Sequence, residues 1–127
     1  MVAKTLILAC AGALALSGAA AGGSTVTTLR GTVGPGFTIA LTKAGTPVTR
    51  LAPGMYRIVV SDRSPIHSFV IEKSGGAFER TVTSVGFQGT KAITVRLTRG
   101  QWEVYCRPHE SSMKRHFGVG VAPKAED

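Results

Sequence analysis

Cysteine is nearly absent from this chain, acidic residues and aromatics are scarce, and no segment repeats its apolar residues at a helical period. Each shortage removes a class of protein. Once the N-terminal leader is set aside Cys106 is the one cysteine left, so a disulfide-stapled scaffold is excluded. Aromatics make up 6% of the chain and its basic residues are scattered, without the clustered charge and stacking rings that nucleic-acid binding uses. No apolar run beyond the leader approaches the ~20 residues that span a bilayer, so no transmembrane segment is expected. Without a 3.6-residue period, bundles and α/β folds drop out as well. The shortage of acid leaves a net charge of +8, or +7 without Lys4, which favours acidic partners or anionic surfaces through long-range steering.

The leader itself is legible. Lys4 supplies a positive start, residues 5–16 are an apolar run, and Ser17, Gly18 and Ala19 to Ala21 are small residues suited to cleavage. Residues 1–21 therefore read as a secretory signal peptide, and the run is too short to be a membrane span. Cys10 follows Lys4 too closely for a normal lipoprotein signal. The mature protein is expected to be soluble and exported, to a periplasm or a cell surface, and to act as a monomer.

What remains is strand-like. Residues 22–36 are rich in Gly, Ser and Thr and read as a flexible start leading into a first edge strand. The domain proper spans 37–122, and a charged tail covers 123–127. Period-two alternation marks strands at 37–41, 48–51, 55–62, 66–72 and 91–97, with a less regular one over 78–85. Two more run through 101–106 and 117–121. Turns at Pro53-Gly54, Gly75-Gly76, Gln88-Gly89 and Arg99-Gly100 separate several of them. Seven to eight short strands at regular spacing predict an all-β sandwich with Greek-key connections.

Chemistry concentrates in Tyr105-Cys106-Arg107-Pro108-His109-Glu110-Ser111-Ser112-Met113, where a strand runs into a loop carrying a thiol, an imidazole and a thioether. Alternation points Cys106 into the core beside Trp102 and Val104. It also points His67 inward with Phe69 and Ile71, and turns His116 to solvent. Cys, two His and Met form the donor set of blue-copper sites: thiolate and imidazoles hold the metal and a weak thioether tunes it. Singly these residues prove little, since a lone inward His or Met is more often core packing. A structural zinc site would need a second Cys/His pair, which the mature chain lacks. A Cys/His nucleophile would need an orienting third group and a substrate pocket.

Through Ile66-His67-Ser68-Phe69, the Cys106 motif and Phe117-Gly118-Val119, residues 37–121 resemble the plastocyanin/azurin family of cupredoxins. The resemblance implies an eight-stranded sandwich binding one type 1 copper. His67, Cys106 and His109 would be equatorial ligands, Met113 the axial one, and His109 the exposed edge where electrons pass. It implies a soluble one-electron carrier rather than an enzyme. Family members commonly carry Asn where this chain has Ser68, a shorter side chain with fewer hydrogen-bonding groups, so a looser tie between the two ligand loops is expected. Arg63, Arg107, Lys114 and Arg115 flank the ligands, which predicts a basic end that docks an acidic redox partner. Two other functions fit the same residues: copper storage, delivery or sensing, and a metal-free sandwich that binds partners.

Overall fold

Alternation between inward and outward side chains decides where each strand lies. In the computed structural model, which describes residues 25–125, β1 (Thr27–Val33) buries Leu29, Gly31 and Val33 and exposes Thr28, Arg30 and Thr32. β2 (Ile39–Lys43) and β5 (Gly54–Asp62) follow the same rule, and β5 turns Tyr56, Ile58, Val60 and Asp62 inward. These three strands join β3 (Thr46–Pro47) and β8 (Gly89–Leu97) in one sheet, in the order β3-β2-β1-β5-β8. The second sheet runs β4-β10-β9-β6-β7. It is built from β4 (Arg50–Leu51), β6 (Phe69–Lys73), β7 (Phe78–Thr83), β9 (Gly100–Tyr105) and β10 (Lys114–Val119).

The chain is thus all-β, a sandwich of two mixed sheets, and it passes from one sheet to the other five times. Among the described residues eight strands have five residues or more, within the seven to eight expected from the sequence; two-residue β3 and β4 lie in different sheets and carry the chain across between them. One expectation changes. β1 is not an edge strand: it lies between β2 and β5, pairing parallel to β5 along all seven residues from Thr27↔Tyr56 to Val33↔Asp62. Its Gly- and Thr-rich composition suggests an edge, but Gly31 is needed inside. A Cβ there would come within 2.7 Å of the Phe69 ring from the opposite sheet. The expected signal peptide, with Cys10, and the last two residues of the tail lie outside the described residues.

The core is the apolar layer between the sheets. Leu29, Val33, Ile58 and Val60 of the first sheet meet Phe69, Ile71, Trp102, Val104, Phe117 and Val119 of the second, all buried. At one end of this layer three loops converge: 34–38 after β1, 63–68 before β6, and 106–113 between β9 and β10. Arg63 N donates to Val33 O (2.9 Å) and ties the start of the second loop to the end of β1, where the first begins. The ligand candidates are on these loops.

Candidate metal centre

Cys106 follows the last residue of β9 and continues its inward phase, so its sulfur is fully buried in the core cluster with Trp102 and Val104. The chain then makes one turn of 3-10 helix, Arg107–His109, with Pro108 inside it. His109 N donates to Cys106 O (3.0 Å), Met113 N to His109 O (2.8 Å), and Cys106 N to Met113 O (3.0 Å). These bonds close the loop on itself and return Met113, fully buried, to the same core cluster as Cys106. His67 precedes β6 and is 1% exposed.

Three of the four expected donors converge. His67 Nδ1 is 3.0 Å from His109 Nδ1, and Cys106 Sγ is 3.7 Å from the first and 3.5 Å from the second. A triangle with those sides has a point about 2.0 Å from every corner, the length of an imidazole–metal bond and slightly short of a thiolate–metal bond. Among the described residues this is the one group of three such side chains close enough to share an ion. The donor chemistry fits as well: soft thiolate with two imidazoles suits copper.

Hydrogen bonds around the triangle prepare the atoms that face its centre. His67 Nε2 lies 2.8 Å from Gly36 O. A carbonyl can only accept, so Nε2 donates, and in the neutral imidazole Nδ1 then presents its lone pair inward. Ser68 N donates to Cys106 Sγ (3.3 Å), and Ser68 Oγ accepts from Arg107 N (2.9 Å). The serine expected to loosen the tie between loops therefore makes it, from both its backbone and its hydroxyl. Phe37 stands edge-on to both imidazoles, with ring centroids 5.3 Å from His67 and 4.9 Å from His109. Gly36 and Phe37 were not legible as site residues in the sequence: they lie 31 and 30 residues before His67, and no local pattern links the two segments.

The surroundings modify two expectations. His116 does alternate away from Phe117, but it does not stand open in solvent: its side chain is 15% exposed, and Nδ1 lies 3.4 Å from Glu103 Oε2. The basic flank is partly neutralised. Arg107 pairs with Glu79, whose hydrogen bond is the main cause holding the guanidinium's pKa above its usual value. Lys114 Nζ lies 3.1 Å from Glu110 and 3.8 Å from Glu103, and the Glu110 bond likewise raises its pKa. Tyr105, next to Cys106, lies under the Arg107 guanidinium (5.9 Å); burial raises its hydroxyl pKa, and Arg107 opposes this.

Fold and site geometry together define a cupredoxin-like sandwich. Comparison with solved structures agrees: the chain superimposes on rusticyanin from Thiobacillus ferrooxidans with a TM-score of 0.52 at 19% identity, covering 72% of this chain and 75% of that one. Reduced rusticyanin gives a TM-score of 0.53 at 18% identity over 72% and 77% of the two chains. A further rusticyanin structure, described as that of a copper protein, gives 0.53 at 16% over 72% and 76%. At such identity the likeness is one of fold. Neither protein-family models nor curated proteins give a match to the sequence.

Proposed function

We propose that this chain is an exported type 1 copper protein that carries single electrons and is not an enzyme. His67, Cys106 and His109 would hold the ion, with the buried thioether of Met113 as a weaker fourth donor. The observation that carries this reading is the 3.0, 3.5 and 3.7 Å triangle of two imidazole nitrogens and one thiol sulfur. Bound copper would supply a one-electron couple.

The chain's own residues do the rest. Cys106 and Met113 are fully buried, so water is kept from the sulfur side of the site. The Gly36 carbonyl, Ser68 and the loop's backbone bonds fix the donors in advance, so little has to rearrange when charge changes. His109 is only partly buried and is the donor nearest solvent. A redox partner would meet this edge. Exposed Phe37 and Ile66, at 60% and 53%, lie on two of the site's loops and give such a contact an apolar component. With Arg107 and Lys114 already ion-paired, attraction to an acidic partner would come from net charge more than from a basic rim. Residues 1–21 would be removed on export, and no helix among the described residues is long and apolar enough to cross a membrane.

The test is the visible absorption of the protein without residues 1–21, titrated with Cu(II) beside Cys106→Ser. An intense blue band that saturates at one copper per chain and is missing from the variant is the expected result. A colourless protein with unchanged stability would overturn the reading and leave a metal-free binding sandwich.

A further inference from the structure

We propose that Phe37 is a positioning residue of this centre: its ring holds the His109 imidazole against His67 and closes the solvent side of the site, which sets how quickly metal can leave. The inference rests on the copper reading above.

The two imidazoles are held differently. His67 is buried, and its outer nitrogen is fixed by the Gly36 carbonyl at 2.8 Å. His109 has no such anchor. Its Nδ1 faces His67 and Cys106, and among the described residues its Nε2 makes no hydrogen bond. Apart from His67, the one ring touching it is Phe37, edge-on with an interplanar angle of 87°. The same phenyl meets His67 at 67°. A residue 60% exposed gains little from burial, so what the ring contributes lies largely in these two contacts.

The loop that presents the phenyl is itself braced. Gly34 N donates to Thr38 O (2.8 Å) and Thr38 Oγ1 to Pro35 O (2.9 Å). Between these bonds lie Gly36 and Phe37, so one five-residue loop delivers both the carbonyl that orients His67 and the ring that backs His109. For an ion to leave, His109 has to swing outward first, since His67 and Cys106 are enclosed. Phe37 stands beside that swing.

Two measurements test this. In the metal-free protein, the His109 ring-proton NMR shifts should carry the ring current of Phe37 and move toward random-coil values in Phe37→Ala and Phe37→Leu. In the copper-loaded protein, loss of the blue band to excess chelator should be about tenfold faster in both variants, the scale of one aromatic pair, and Phe37→Tyr should restore it. Because the side chain is exposed, the metal-free variants should melt close to the wild type, which separates positioning from general loosening. Unmoved His109 shifts, or an unchanged release rate, would overturn the proposal. If the wild type forms no blue band, the copper reading falls, and the metal-free shifts still decide whether Phe37 positions His109.

Discussion

Ser68 illustrates how much one side chain's meaning depends on its surroundings. A hydroxyl is a shorter tether than a carboxamide, yet here it reaches Arg107 N at 2.9 Å because the two loops are pressed together and Ser68 is 3% exposed. Arg107, a donor through its side chain, spends its guanidinium on Glu79 and contributes to the site through its backbone amide. Ser68→Ala removes the acceptor and leaves that amide unsatisfied. The expected cost is about 1–3 kcal/mol of folding stability and a ten- to hundredfold weaker copper affinity. Urea denaturation and a competitive chelator titration measure the two effects. Unchanged values in both would mean that water replaces the hydroxyl without loss.

At the scale of elements, the interior place of β1 makes its glycine demanding. Gly31→Ala would push a methyl group into the Phe69 ring, and overpacking of this kind costs about 1–3 kcal/mol. Its denaturation midpoint should fall accordingly. The outer face of the second sheet poses the opposite case. Glu72 on β6 stands directly across from Glu79 on β7 and Glu103 on β9. Burial raises the Glu72 pKa, and the neighbouring carboxylates raise it further. An acid whose pKa is higher folded than unfolded favours folding below its ordinary value near 4.5 and opposes it as pH rises through the folded value. Glu72→Gln should therefore stabilise the protein at neutral pH by a few tenths of a kcal/mol, with the gain disappearing near pH 4. Denaturation midpoints at the two pH values check this.

For the molecule as a whole, metal binding and folding would be one equilibrium, because the donors come from loops 39 to 42 residues apart in sequence and meet only when both sheets form. Copper at about a thousand times its dissociation constant should add roughly 4 kcal/mol of stability. For about a hundred residues that raises Tm by more than ~10 °C, read by calorimetry with and without the metal. A second whole-molecule property is alkaline sensitivity. Burial raises the pKa values of Tyr56 and Tyr105, and the Tyr56 hydroxyl donates to Ala52 O at 2.7 Å. Both therefore hold their protons more tightly folded than unfolded. Their contribution is complete below about pH 10 and is lost as pH climbs above it. A melting series from pH 8 to 11 should be flat at first and then fall, and Tyr56→Phe should flatten part of that fall.

Local quantities were legible in the residues alone: the period-two strands, the all-β class, and which faces carry Trp102, Val104 and Cys106 on one strand and Ile58 and Val60 on another. It also marked the four ligand candidates, since alternation sends Cys106 inward and excludes His116 from that set. Those features follow from side chains a few residues apart on one backbone, where steric rules act directly. That β1 runs inside a sheet, parallel to β5, is fixed by the assembled sandwich, because the pairing depends on a partner some 30 residues away. The tertiary fold alone brought Gly36 and Phe37 against the two histidines, and it alone set Arg107 against Glu79 and Lys114 against Glu103, carboxylates from other strands. Such contacts are set by how two sheets stack and where their loops meet, and hydrophobic patterning along a strand carries no record of either.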